Sequence, residues 1–275
     1  SIDEFLEKNN YSNDFTNNYL LPMASSIWSA KQDEILTMPV RFLLRFFDNH
    51  GLLQLKDRPQ WMVIKGGSKE YLKKLSKNYM SKVHLSSRVN AIYRNDDFIE
   101  VELDNGSKAK FDYVFIATHS DQALKILDNP SQDELNILSK IRYQENVATL
   151  HTDSSFMPKS KRCWASWNYY VGGGNTKRVN LTYCMNILQD LKSKTNFLVT
   201  LNDDGRIDRK KTIKTFIYHH PIFDNAAVKA QKELPKINGS KRTFYVGAYW
   251  GNGFHEDGVQ SAIKAHTVFK DIANG

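Results

Sequence analysis

A chain of 275 residues with 41% hydrophobic and 12% aromatic side chains can bury one large core or two smaller ones, which excludes a disordered polymer. The excess of 38 basic over 30 acidic residues, net +8, favours anionic partners, yet Lys159-Ser160-Lys161-Arg162 and Arg209-Lys210-Lys211 are short runs, so no nucleic-acid groove is expected. Cys163 and Cys184 have no paired spacing, which argues against a disulfide framework or a zinc site and suits a reducing cytoplasm, and no run nears the roughly 18 apolar residues of a membrane span.

Residues 1–60 read as mainly helical. Ser1 or Asp3 caps the first turn, and this start lacks the basic and apolar regions of a signal peptide. Phe5, Leu6, Tyr11, Phe15, Tyr19 and Leu20 recur at near-helical spacing, and Pro22 is expected to break that run. A second helix is predicted over 40–49, with Phe42, Leu43, Phe46 and Phe47 as its apolar stripe, Pro39 at its start and Gly51 beyond its end. Gly66-Gly67-Ser68 leads into a helix over 69–79 with Tyr71, Leu72 and Leu75 on one face.

A strand-rich block follows. Short strands are predicted at 83–85 and 89–93, and 98–103 alternates apolar and polar residues as a half-buried strand does. Asp104-Asn105-Gly106 is a hairpin turn, because Asn and Gly tolerate positive φ, and 108–111 returns. The run 113–117 is continuously apolar, the pattern of a parallel strand buried on both faces, and a helix begins at Gln122. A second sheet is expected from strands at 147–151, 162–167, 179–185 and 213–218, with Gly172-Gly173-Gly174-Asn175 as a turn. A helix covers 222–234. The strand 243–247 then ends in glycine, a Gly-rich loop runs to Gly258, and a helix covers 259–272.

A strand that ends in Gly, opens into a Gly-rich loop and continues as a helix can hold an anionic group, since outward N–H groups and the helix dipole meet there. The same pattern also serves as an ordinary tight connection. G-x-G-x-x-G, G-x-S-x-G and H-E-x-x-H are all absent, and the adjacent His219 and His220 point to opposite faces of a strand. The residues alone thus describe an α/β protein with an anion-friendly loop before its last helix.

The ordered set of motifs carries more. A Gly-Gly-Ser helix, a Val-x(5)-Val-x-x-Ile strand pair, an alternating hairpin, a buried run ending Ala117-Thr118 and a terminal Gly…Glu-x-x-x-x-Ser helix occur in sequence. This resembles the flavin-containing amine oxidase superfamily. Leu20-Leu-Pro-Met, Arg45-Phe-Phe-Asp-Asn-His-Gly51, Asp57-Arg-Pro-Gln-Trp61, Ala117-Thr-His-Ser-Asp-Gln-Ala123 and Gly247-Ala-Tyr-Trp-Gly-Asn-Gly-Phe-His-Glu-Asp-Gly258 look like a bacterial subgroup of NAD/FAD-binding amine-oxidase-like proteins.

The resemblance implies an α/β fold in which an incomplete FAD-binding Rossmann-like domain is interleaved with an α+β substrate domain. It places a helical part of the substrate domain at 1–65, FAD-domain pieces at 66–141 and 241–275, and the substrate-domain sheet at 142–240. It also implies that the family's N-terminal G-x-G-x-x-G lies outside this sequence and that the 275 residues alone are inactive. FAD is the implied cofactor. Val89 would lie beside the adenine, Ala117 and Thr118 near the nucleotide and Gly247 at the pyrophosphate, with Glu256 as the acidic position and Gly258 and Val259 opening a helix toward the flavin ring. Such a helix start favours an anionic reduced flavin. Tyr249, Trp250 and His255 are the expected catalytic residues beside that ring, with Trp167, Asn168 and His119 as outer candidates. Core or interface packing is the competing reading for both tryptophans.

The family's flavin-side lysine and paired cage tyrosines have no match here, so the reaction expected is hydride removal from a C–N or a C–C bond. The subgroup resembles flavoproteins linked to cyclopropane fatty acid synthases, which implies a small-molecule or acyl-lipid substrate and contact with a membrane surface. The alternative is a lipid-associated accessory module without catalysis.

Overall fold

Ser1 Oγ accepts the Glu4 amide while the Glu4 carboxylate reaches back to the chain start, a capping box that opens the Ile2–Lys8 helix and buries Ile2 and Leu6. The computed structural model describes residues 1–170, 181–203 and 205–274. Ser1–Lys82 with Tyr143–Ile222 form one unit, and Val83–Arg142 with Phe223–Gly275 form another. Each unit is thus built from two separate stretches of chain. The breaks fall after Lys82 and Ile222, where the sequence places them after 65 and 240. The Asn225–Glu233 helix joins the second unit because Ala230, with Leu234 just beyond it, packs into the same core as Ile137 and Leu138.

In the first unit, Pro22 does not end the helical run. A π-helical stretch, Thr16–Leu20, precedes it, and Pro22 stands in the first turn of the Leu21–Trp28 helix. The wide turn shifts the carbonyl that a proline ring would otherwise strike. The Val40–Asn49 helix has the bounds read from its stripe and buries Leu43, Phe46 and Phe47, with the Phe46 ring 4.9 Å from that of Trp28. A short helix, Gln32–Thr37, lies between them without a sequence signal strong enough to mark it.

The sheet of this unit is antiparallel throughout, in the order Trp167–Tyr169, Leu181–Cys184, Leu198–Leu201, Tyr143–His151, Thr212–Pro221. Alternation sorts its faces. Ala148, Leu181 and Leu201 gather with Trp167 and Tyr169 on one face, while Cys184 and Leu198 meet Met157 and Trp164 on the other. The helical segment caps the first face. Gln144 Nε2 donates to the Ser29 carbonyl at 3.0 Å, and Gln32 Nε2 donates to the Tyr169 hydroxyl at 3.3 Å. The strand expected at 162–167 begins only at Trp167, because Lys161–Cys163 winds into a 3-10 turn. Leu198–Leu201 is a strand for which the sequence carries no marked signal. The Gly172-Gly173-Gly174-Asn175 turn lies outside the described residues.

In the second unit, Val89–Arg94, Ile99–Leu103 and Lys108–Phe111 form an antiparallel meander whose turn places Gly106 at φ +80°. Residues 83–85 form no strand. Val114–Ile116 pairs in parallel with Thr243–Tyr245, Ile116 opposite Tyr245. The first of these strands is not buried on both faces as its apolar run suggested: Ile116 is buried, and Phe115 is 40% exposed. Among the described residues it pairs with that one strand, and the Phe115 ring packs against those of Phe244 and Phe269. Helices Ser120–Ile126, Gln132–Leu138 and Asn225–Glu233 close the core around Ile92, Ile99 and Tyr245, and the chain ends in the long His255–Asn274 helix. Among the described residues no helix is long and apolar enough to cross a membrane.

Candidate functional site

Parallel pairing decides where the site lies. Because Val114–Ile116 and Thr243–Tyr245 run side by side, their carboxyl ends open at one edge, and the Val246 amide donates to the Ile116 carbonyl at 3.0 Å. In open α/β sheets that edge is where ligands bind. Ala117 and Thr118 leave the first strand there and Gly247 leaves the second.

An open cavity of about 650 Å³ adjoins the first strand. Val89, Ala117 and Thr118 line it, so three of the residues expected at a nucleotide meet in one hollow. Its wall also holds Arg88, Gln122 and Lys125, and among the described residues no Asp or Glu. These three were missed because each reads alone as a surface residue. Their shared feature, positive charge and an amide around one hollow, appears only once the Val89 strand and the Ser120–Ile126 helix are brought together.

The glycine loop is held from two sides. Gly247 donates its amide to Ser261 Oγ at 2.9 Å, and Ser261 donates in turn to the Gly258 carbonyl at 2.7 Å, tying the strand end to the first turn of the terminal helix. Gln231 Nε2 donates to the carbonyls of Tyr249 and Gly251 at 2.9 and 2.7 Å. No local pattern marks Gln231, since it reaches the loop from the Asn225–Glu233 helix.

The glycines of this loop differ in their reasons. A Cβ on Gly247 would sit 2.5 Å from the Tyr249 ring, and one on Gly251 would sit 2.2 Å from the Asp257 carboxylate, so internal packing requires both. Gly253 has φ +95°. Gly258 meets neither condition: it is helical, and a Cβ there would find only Ala248, at an ordinary 3.8 Å. Glycine in a helix costs about 1 kcal/mol relative to alanine. Among the described residues nothing accounts for that cost.

The remaining candidates fall as follows. Tyr249 is buried, packed on Gly247 with its ring 4.9 Å from that of Trp250. Trp250 packs against the core of its unit, and its indole N–H is a buried donor without an acceptor among the described residues. His255 opens the terminal helix on the surface. Glu256 accepts from Gln260 Nε2 at 2.7 Å, and Val259 is 46% exposed. Asp257 caps the turn through the Phe254 amide at 3.0 Å. His119 stands at the N-cap of the Ser120–Ile126 helix, beside Thr118. Trp167 and Asn168 belong to the other unit, on its edge strand. Among the described residues there is no cluster of side chains able to hold a metal ion.

Comparison with known proteins supplies the context. The family model described as flavin containing amine oxidoreductase matches residues 3–206. No curated protein matches the chain. Among solved structures, a CLA-producing fatty acid isomerase from P. acnes superposes with a TM-score of 0.64 at 15% identity, covering 98% of this chain and 66% of its own. Cyclohexylamine oxidase from Brevibacterium oxydans IH-35A gives 0.64 at 9% identity, covering 100% and 68%. The chain thus spans about two thirds of the length of either enzyme.

Proposed function

Because this chain belongs to the flavin containing amine oxidoreductase family, we propose that it forms the substrate-side and flavin-facing part of an oxidoreductase that takes hydride from a C–N or C–C bond. FAD is the cofactor of the family, and oxidoreduction is its chemistry. The residues present suit part of that molecule. Gly258 supports the reading most directly: a helix-start glycine that neither φ nor packing requires leaves the backbone open to a ligand. Backbone amides of the first turn of the His255–Asn274 helix would face the bound group there, and the cavity lined by Val89, Ala117, Thr118, Arg88 and Lys125 offers room and positive charge for a nucleotide portion.

When bound, FAD would supply the hydride acceptor. The chain's own contribution is to hold the loop. Ser261 and Gln231 fix the backbone from Gly247 to Gly258, so its amides are aimed before any ligand arrives. In this reading Trp250 and His255 flank the approach to the loop, and the orphaned Trp250 indole N–H is a donor available to a cofactor or substrate oxygen. Tyr249 acts from beneath, as packing for Gly247.

The two solved enzymes named above act on a fatty acid and on cyclohexylamine, one substrate for each bond type. Anaerobic mixing of the FAD-loaded protein with an unsaturated fatty acid and, separately, with a primary amine tests the proposal. Bleaching of the yellow flavin by either identifies the bond attacked. A protein that holds FAD but is bleached by neither would favour the lipid-associated accessory module, and vesicle binding would then be the measurement to follow. The link to a cyclopropane fatty acid synthase is part of the same proposal, and co-purification of the two would support it.

A further inference from the structure

The antiparallel sheet carries a buried hydrogen-bond chain that starts at a histidine of defined tautomer. The Asp153 amide donates to His151 Nδ1 at 3.1 Å, so that nitrogen carries a lone pair and the ring proton sits on Nε2. His151 Nε2–H therefore donates to Thr200 Oγ1, 2.7 Å away. Thr200 and Thr182 share one further hydrogen bond, Oγ1 to Oγ1 at 2.8 Å, in which either hydroxyl can donate. Two hydroxyl protons serve that one bond, so one of them is left over. All three side chains are buried, with at most 4% of their surface exposed. Burial also pushes the His151 pKa down, which favours the neutral ring and so its donation to Thr200.

The last two members of that hydrogen-bond chain open into a cavity of about 520 Å³ contained within this unit. Phe156, Met157 and Pro158 give it apolar walls. Lys159 and Arg206 line it, and among the described lining residues there is no Asp or Glu. The Arg206 guanidinium lies 5.3 Å from the Phe156 ring centroid and 5.6 Å from that of Tyr170, so charge and flat apolar surface share one side. A hydroxyl donor at the floor, aromatic and thioether walls and two cations together suit one class of ligand.

We propose that this cavity is a ligand site of its own, which takes a small amphipathic carboxylate with its apolar body against Phe156, Met157 and Pro158 and a carboxylate oxygen accepting from the Thr182 hydroxyl. The spare hydroxyl proton is a donor that a carboxylate accepts, and the charges of Lys159 and Arg206 disfavour an ammonium. This site does not depend on flavin, and its test needs no redox readout.

Phenylacetate is the probe, with phenylacetamide and phenethylamine as neutral and cationic matches of similar shape. Methyl resonances of the methionines report binding, Met157 being assigned by Met157→Leu. Phenylacetate is expected to move the Met157 resonance and to bind at least about ten-fold more tightly than phenethylamine. Thr182→Val removes the donor at constant shape and should weaken phenylacetate about ten-fold or more, the range expected for a hydrogen bond to a charged group, while Thr182→Ser keeps the affinity. Should the valine variant not fold, Lys159→Glu at the exposed mouth gives an independent reading: it lowers phenylacetate affinity and raises that of phenethylamine. Equal binding of the three probes, or no movement of the Met157 resonance at millimolar phenylacetate, overturns the proposal. Wild-type affinity in a folded Thr182→Val protein overturns it too.

Discussion

Two buried carboxylates set how the protein responds to acid. Burial alone would raise the pKa of Asp153, but the Lys211 ammonium at 3.0 Å, the amides of Asp208 and Ser155 and the Ser155 hydroxyl outweigh it and hold the carboxyl at about 2. A folded-state pKa below the unfolded one stabilises at pH values above the unfolded pKa and is lost as pH falls through the folded one. Asp153 should contribute about 2 kcal/mol at neutral pH, fading between about pH 4 and pH 2. Urea midpoints of wild type and Asp153→Asn should therefore converge as pH is lowered across that window. Glu134 follows the same sign. Burial pushes it up, and hydrogen bonds from Arg94, the Tyr245 hydroxyl at 2.5 Å and the Ser131 amide bring it below the ordinary carboxylate range. Glu134→Gln would leave Arg94 charged and buried, a loss of about 3–5 kcal/mol readable in the same urea titrations. Sequence reading found Asn105-Gly106 and the Gly247–Gly258 loop, whose chemistry is local. It could not find this cluster, since Arg94 and Glu134 lie 40 positions apart and Tyr245 lies 111 from Glu134. Gly258→Ala separates the two roles of a glycine. It should stabilise the flavin-free chain by up to about 1 kcal/mol and weaken FAD uptake, and a variant that takes up FAD unchanged would remove the main support for the flavin-facing loop.

Helical period reports which residues share a face, and it is silent on whether that face meets anything. The Val40–Asn49 stripe matches the structure because Leu43, Phe46 and Phe47 are buried in their own unit. The Lys69–Ser76 helix shows the same period and buries no residue, with Leu72 and Leu75 56% and 60% exposed. Just before it Trp61, Met62, Val63 and Ile64 are all exposed, amid Lys65, Lys69, Lys73 and Lys74. Contiguous apolar surface of this kind drives self-association. Replacing both Leu72 and Leu75 with Glu should lower binding of a hydrophobic dye and raise solubility, with the unfolding midpoint shifted by no more than about 0.5 kcal/mol equivalent, as for a surface change. A large loss of stability would show that these leucines pack within the folded chain. The Val114–Ile116 strand teaches the same lesson for sheets. Its continuous apolar run gave the parallel pairing, but burial on both faces also requires a neighbour on each side.

At the scale of the whole chain, the order of motifs carries the interleaving and the crossing beside Arg142, which the sequence places one residue earlier, while the crossings after Lys82 and Ile222 depend on which core a helix joins. The second crossing has a consequence. Tyr143 pairs with Pro221 at the margin of the antiparallel sheet, and in the other unit Arg142 holds Asp224 through an ion pair at 3.0 Å. The chain therefore leaves the second unit at Arg142 and re-enters it at Phe223 through nearly the same place, as an inserted domain does. Removing 143–222 and joining Arg142 to Phe223 through two or three glycines closes only a short gap, and loop closure of that length costs little entropy. The second unit keeps its whole core in this shortened form, since Ile92, Ile116, Ile137, Leu138, Ile237 and Tyr245 all lie outside the excised stretch. A protein of residues 83–142 joined to 223–275 should show one cooperative urea transition, and Glu134→Gln should lower its midpoint as it does in the full chain. The converse excision fares differently. Residues 143–222 alone lose the helices whose Ser29 and Gln32 bond to the sheet, so that peptide should stay unfolded until residues 1–82 are supplied. Absence of a cooperative transition in the joined 83–142 and 223–275 protein would mean that this unit borrows its stability from the rest of the chain.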